Sequence, residues 1–190
     1  MQRLSGDATM RYVAFLRAVN VGGRIVKMDV LRRIFEKLEL STVSTFIASG
    51  NVIFESPDAP GDLESAIEKA LGATLGYEVT TMVRSIENVS AVVDTVQRRD
   101  VAPGDGVTLY VGFLKERPPR AAARAVAGMS NEVDSLLVIG QEVYWRCQKA
   151  FSDSTVSGPR LEKVLGTPAT FRNVNTVQKI AAKYAVAPTL

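Results

Sequence analysis

Hydrophobic positions along this chain follow two rhythms. Short runs such as YVAFL at 12–16 and YVGFL at 110–114 are apolar at every residue, which is the pattern of strands covered on both faces. Elsewhere apolar residues return every three or four positions, the spacing of one helix face. Leu31, Ile34, Phe35 and Leu38 make one such stripe, and Leu63, Ile67, Ala70 and Leu71 make another, opened by GDLE. Two further stripes follow arginines: Val89, Val92, Val93 and Val96 after Arg84, and Val177, Ile180, Ala181 and Tyr184 after Arg172. PPRAAARAVAGM suits a helix with Pro118 and Pro119 in its first turn, and PRLEKVL a shorter one.

Laid against itself, the chain repeats. YVAFLRA matches YVGFLKE at an offset of 98, identical over five positions save Ala14 against Gly112. ASGNVIF and VIGQEVY each put a glycine-led turn between β-rich runs, Gly50 over Gly140 at an offset of 90; short hairpin loops need the positive φ that glycine supplies. TMVRSIENVSAVVDTV then matches ATFRNVNTVQKIAAKY at an offset of 88, with Arg84 over Arg172. Three correspondences in one order point to duplication.

Each half reads β-α-β-β-α-β followed by a helix, and with both inner helices on one sheet face that is a ferredoxin-like plait. The fold class expected is α+β: two tandem ferredoxin-like (alpha-beta plait) subdomains related by internal duplication. The boundaries expected are a frayed extension at 1–9, a first subdomain at 10–97, a linker at 98–107 within QRRDVAPGDG, and a second subdomain at 108–190.

Composition narrows the chemistry. With 46% hydrophobic and 23% charged residues, a packed soluble protein is expected. No apolar run reaches the roughly 18 residues of a membrane span, and MQRLSGDAT has no signal-peptide core. A cytoplasmic protein without a membrane partner follows. Histidine is absent and cysteine occurs once, so a Ser-His-Asp triad, a Cys-His dyad, a His/Cys zinc site and an intrachain disulfide have no residues to form them. No metal and no cofactor are expected. Cys147 shares an alternating face with Val143 and Trp145 and reads as a small buried hydrophobe.

Net charge is +3, unevenly spread: residues 1–97 hold 10 basic against 12 acidic side chains, and residues 98–190 hold 13 against 8. Within the first half, 11–37 carries seven basic residues against Asp29 and Glu36. That excess brackets VNVGG, where a strand passes into a helix. From Arg17 to the helix start near Met28 is eleven positions; from Lys115 to Pro118 is three. The second copy dispenses with the intervening segment, so packing does not require it, and a spare loop at a strand end is a natural place for function. Gly22 and Gly23 would admit an anion to backbone N–H groups, with Asn20 beside them and Arg17, Arg24 and Lys27 supplying charge. The spacing matches neither G-x-x-x-x-G-K-[ST] nor G-x-G-x-x-G, and the same residues also fit a wide turn with solvated charges.

TFRNVNT is the second candidate. Asn173 or Asn175 would cap the last helix, and Arg172, like Arg84, either ties a strand end to nearby carbonyls or meets a ligand. Reasoning from strand directions places Arg172 near the Gly140 hairpin and the Gly22 loop at the edge away from Gly50, so the two candidates are not expected to form one constellation.

FLRAVNVGG, KMDVLRRIFEKL, TFIASGNVIF and LGTPATFRNVNTVQKI together resemble the bacterial family called domain of unknown function 1697, over about Arg11 to Tyr184. The resemblance implies two plait-like α+β subdomains and brings no established activity. Members often carry glycine where this chain has Ala18 and an aromatic where it has Val174.

Three function classes remain. The first binds a nucleotide, another phosphate-bearing small molecule or a nucleic acid through Arg17, Asn20, Gly22, Gly23, Arg24, Lys27, Arg172, Asn173 and Asn175. The second is an enzyme acting on a small anionic metabolite without histidine or metal, its catalytic residues unknown. The third is a structural or homo-oligomerising module. SGNVIFES does not fit the aromatic consensus of sheet-based RNA readers.

Overall fold

The structure is a computed structural model, and it describes residues 9–20, 23, 25–47, 50–98, 106–148 and 154–185. Gly22, Arg24, most of the extension at 1–9 and most of the linker at 98–107 lie outside the described residues. Among the described residues, eight strands and six helices make an α+β protein with two four-stranded antiparallel sheets. Two compact units divide after Ile86, Met1–Ile86 and Glu87–Leu190.

The first unit runs β1 (Met10–Leu16), α1 (Met28–Glu36), β2 (Ser41–Thr45), β3 (Asn51–Ser56), α2 (Pro60–Leu75) and β4 (Thr81–Ser85). Its sheet has the order β2-β3-β1-β4. Strand β1 is central, which is why it is apolar throughout. Tyr12, Ala14 and Leu16 pack with Val52, Phe54 and Val83 against Leu31, Phe35, Leu63, Ile67 and Leu71 of α1 and α2. The alternate residues Val13, Phe15, Ile53 and Met82 are buried as well.

The second unit contains nearly all of α3 (Ile86–Arg98), then β5 (Thr108–Leu114), α4 (Arg120–Ala127), β6 (Asp134–Ile139), β7 (Glu142–Cys147), α5 (Gly158–Leu165), β8 (Ala169–Asn173) and α6 (Val174–Tyr184). Its sheet has the order β6-β7-β5-β8. Val126, Leu161 and Leu165 carry α4 and α5 onto Leu114, Val143 and Trp145. The Trp145 ring meets Phe171 edge-on at 5.7 Å and Tyr110 at 6.1 Å. Its indole Nε1 donates to the buried Asp134 Oδ1 at 2.7 Å, and Ser154 Oγ donates to the other carboxylate oxygen at 2.7 Å. That buried carboxylate is spoken for by packing, since each oxygen has a donor. Cys147, the single cysteine of the chain, is buried.

Three details differ from the sequence reading. The β1–α1 connection has eleven residues and the β5–α4 connection five, because α4 opens at Arg120 with Pro119 as its N-cap and both prolines outside the helix. Strand register equates Phe15↔Asn51 with Phe113↔Glu142, an offset of 91 between β3 and β7 rather than 90, so Gly50 corresponds to Gln141 and not to Gly140. Consistently, Leu16 N donates to Gly50 O and Leu114 N to Gln141 O.

The placement of the hairpins is the third. In an antiparallel pair the end of one strand lies beside the start of the other. The end of β1 therefore meets the start of β3, where the β2–β3 hairpin turns, and the loop after β1 sits at Gly50 rather than away from it. For the same reason the end of β8 meets the start of β5, Asn173 opposite Tyr110, and Arg172 lies at the end of its sheet far from Gly140.

Candidate functional site

The loop after β1 is built on a fixed base. Arg17 N donates to Thr80 O at 2.8 Å, continuing the β1–β4 ladder one residue past the strand. Ala18 then takes φ +55°, a left-handed conformation that a side chain disfavours, and the turn it makes sends Val19 inward. Val19 is buried against Gly50, where an added Cβ would lie 2.7 Å from its Cγ1; Gly50 itself has φ +74°. The Val19 carbonyl accepts from Tyr77 Oη at 3.1 Å. Asn20 Oδ1 accepts from Val26 N at 2.7 Å, closing the loop across six residues, and Val26 is buried in the same core.

What this base leaves outward is Gly23, Ile25 and Lys27, all exposed, with Arg17 half-buried. Ile25 is 86% exposed. Lys27 is the N-cap of α1 and makes no side-chain capping bond; its carbonyl accepts from Val30 N at 2.9 Å and Leu31 N at 3.3 Å. Asp29 lies in that first turn and pairs with Arg32 Nη2 at 3.5 Å. At the same end of the sheet the β2–β3 turn exposes Ile47, 52% accessible and at φ +58°, an outlier for a β-branched residue. The described residues of the loop thus bring Arg17, Asn20, Gly23 and Lys27 to one end of the first unit.

Arg172, Asn173 and Asn175 belong to the second unit. Asn173 caps α6, its Oδ1 accepting from Asn175 N at 2.9 Å. Arg172 is 8% exposed; Nη1 donates to Thr170 Oγ1 at 2.7 Å and to Phe171 O at 3.0 Å. Burial pushes its guanidinium down to about 10, which still leaves a cation near neutral pH. Arg84 is 6% exposed and donates from Nη1 to Val83 O at 3.0 Å. The two arginines sit in matching register, opposite Val111 and Val13, and each bonds the carbonyl of the residue before it.

Several polar residues escaped the sequence reading. Glu64 and Glu68 of α2 accept from the outward amides of Val83 and Thr81, both at 2.8 Å, and Glu162 of α5 accepts from Ala169 N at 2.8 Å. Their signal was present: Glu64 and Glu68 stand beside Leu63 and Ile67, next to the apolar stripe. Arg146 Nε is, among the described residues, a buried side-chain nitrogen with no hydrogen-bond partner, and nothing in the local pattern marked it. A groove of about 280 Å³ between Leu38, Leu40, Leu63 and Ile67 is rimmed by Asp58 and Asp62 and has no basic lining, so it does not suit an anion. Among the described residues, no group of three His, Cys, Asp or Glu could hold a metal ion and no helix is long and apolar enough to cross a membrane.

Comparison with solved structures finds "The structure of conserved bacterial protein SP0830 from Streptococcus pneumoniae", with a TM-score of 0.64 and 24% identity. The match covers 92% of this chain and 98% of that one, a likeness of fold. No curated protein matches. The family described as "Protein of unknown function (DUF1697)" matches residues 10–144, which take in the whole first sheet, β5 and the loop after β1. The chain belongs to this family, whose function is uncharacterised.

Proposed function

We propose that the protein binds a phosphate-bearing ligand, a nucleotide or a nucleic-acid phosphate, at the loop between β1 and α1. The observation that carries this reading is the closed base: Asn20 to Val26, Tyr77 to Val19 and Val19 on Gly50 hold a loop whose described residues Gly23 and Ile25 are exposed. Such a frame costs backbone strain at Ala18, and strain held in place by surrounding packing is a feature of binding sites. Lys27 precedes the first turn of α1 and Arg17 follows β1; Gly22 and Arg24 are read as members of the same cradle. Asn20 in this reading shapes the loop, since its Oδ1 is held by Val26. Arg172, Asn173 and Asn175 are read as structural, from the capping and carbonyl bonds given above. Ferredoxin-like plaits produced by duplication account for the two sheets: the strand orders correspond, as do the registers of β1 and β5 with the strands on either side of them, and the extra six residues fall in this loop.

A thermal-shift screen against nucleotides, sugar phosphates and short oligonucleotides tests it. A ligand at a hundred times its Kd adds about 2.7 kcal/mol of stability, and Lys27→Ala or Arg24→Ala should remove the shift. If no anion raises the melting temperature, or both variants keep the full shift, the reading fails.

A further inference from the structure

We propose that the outer face of α4 and α5 is a second, separate surface that binds the phosphate backbone of a nucleic acid without regard to sequence. The two helices bury Val126, Leu161 and Leu165 beneath them. On the solvent side stand Arg117, just before α4, Arg120 and Arg124 one turn apart on it, and Arg160 and Lys163 on α5, all exposed. None of the five forms an ion pair among the described residues; Arg160 donates from Nη1 to Thr155 O at 3.2 Å. Of the acids on these segments, Glu162 is turned to Ala169 N and Glu116 is left.

The helices of the first unit are a built-in contrast. There Arg32 lies between Asp29 and Glu36, at 3.5 Å from each, and α2 carries Asp62, Glu64 and Glu68 against Lys69. Packing asks nothing of exposed arginines, and a stability role would pair them as Arg32 is paired. Four of the five are arginine, whose planar fork matches phosphate oxygens. Ala121 and Ala125, also exposed, keep the surface between guanidiniums low enough for a backbone to approach. A lipid surface is the poorer fit, because interfacial helices need large apolar side chains on the binding side. The exposed large hydrophobics among the described residues, Met10, Ile25 and Ile47, all lie in the first unit.

The test is fluorescence anisotropy of the full chain with a labelled 20-base-pair DNA duplex and a 20-nucleotide RNA, each in two unrelated sequences. Binding at 50 mM salt should be indifferent to sequence and weaken about a hundredfold at 200 mM if some four cations contact phosphates. Arg120→Glu with Arg124→Glu should cost at least tenfold, as should Arg160→Glu with Lys163→Glu, which serves should the first pair fail to fold by circular dichroism. Arg33→Glu with Lys69→Glu, an equal change in net charge on the first unit, should cost under threefold. No binding at 50 mM, equal losses in the charge-matched control, or tighter binding to phosphatidylserine vesicles or polyglutamate than to either nucleic acid would overturn the proposal.

Discussion

Gly112 and Ala14 hold the same place in their sheets, opposite Phe171 and Val83, yet they are not interchangeable. A Cβ on Gly112 would lie 2.5 Å from the Phe171 ring, and that ring is held edge-on by Trp145. Gly112→Ala should therefore destabilise by about 1–3 kcal/mol, the usual cost of overpacking; an unchanged urea midpoint would show that the ring can yield. Glu55 is the other residue with a measurable consequence. It accepts from Thr42 Oγ1 at 2.7 Å and pairs with Arg11 at 2.6 Å. These bonds hold its carboxyl below the ordinary 4.5, the Thr42 bond first and Arg11 second. Because the folded value is the lower one, the stabilisation is complete above 4.5 and is withdrawn as pH falls through the folded value. Glu55→Gln should flatten the acid limb of a stability–pH curve below pH 4.5 and change little of its slope at pH 7. An acid limb as steep in Glu55→Gln as in the parent would remove Glu55 as its source.

At the scale of elements, β4 poses a problem that α2 solves. An edge strand offers outward amides that could pair with another chain. Here Glu64 and Glu68, one helical turn apart, accept from Val83 and Thr81, two residues apart on the strand; α5 repeats the device with Glu162 on Ala169. The carboxylates take the place of a fifth strand. Glu64→Ala should leave the Val83 amide without its acceptor at a cost of about 1–3 kcal/mol, and hydrogen exchange at Val83 should accelerate accordingly. Glu64→Gln, which keeps an acceptor oxygen, should retain most of the protection. Equal exchange in both variants would mean that the amide is shielded by something other than this bond.

Across the whole molecule, the α+β class and the kinds of elements were legible in the linear pattern for a physical reason. A strand buried on both faces must be apolar throughout, and a helix lying on a sheet must be apolar every third or fourth residue, so local composition records burial directly. Tyr12 to Leu16, Leu31 with Ile34 and Phe35, and the arginine-led helices were readable on those terms. What escaped involves partners distant in sequence: Glu64 and Val83, 19 positions apart, Asp134 and Trp145, 11 apart, and Val19 with Gly50. No periodicity encodes those pairings. Strand direction misled the placement of Arg172 and of the loop because a hairpin's location depends on which neighbour each strand chooses. Charge behaved in the same way, for the sequence put the excess of cations in the second half without separating paired from bare.

Sequence alone settled the kinds and order of the strands and helices among the described residues, and the want of histidine that removes most nucleophilic and metal chemistry, since each is a property of residue identity and spacing. Only tertiary structure decided that the loop after β1 is anchored at the β2–β3 turn, that helix carboxylates meet the outer amides of β4 and β8, and that the arginines of α4 form no ion pair among the described residues. These depend on which surfaces meet in space, and burial and hydrogen bonding act between groups that the chain itself keeps far apart.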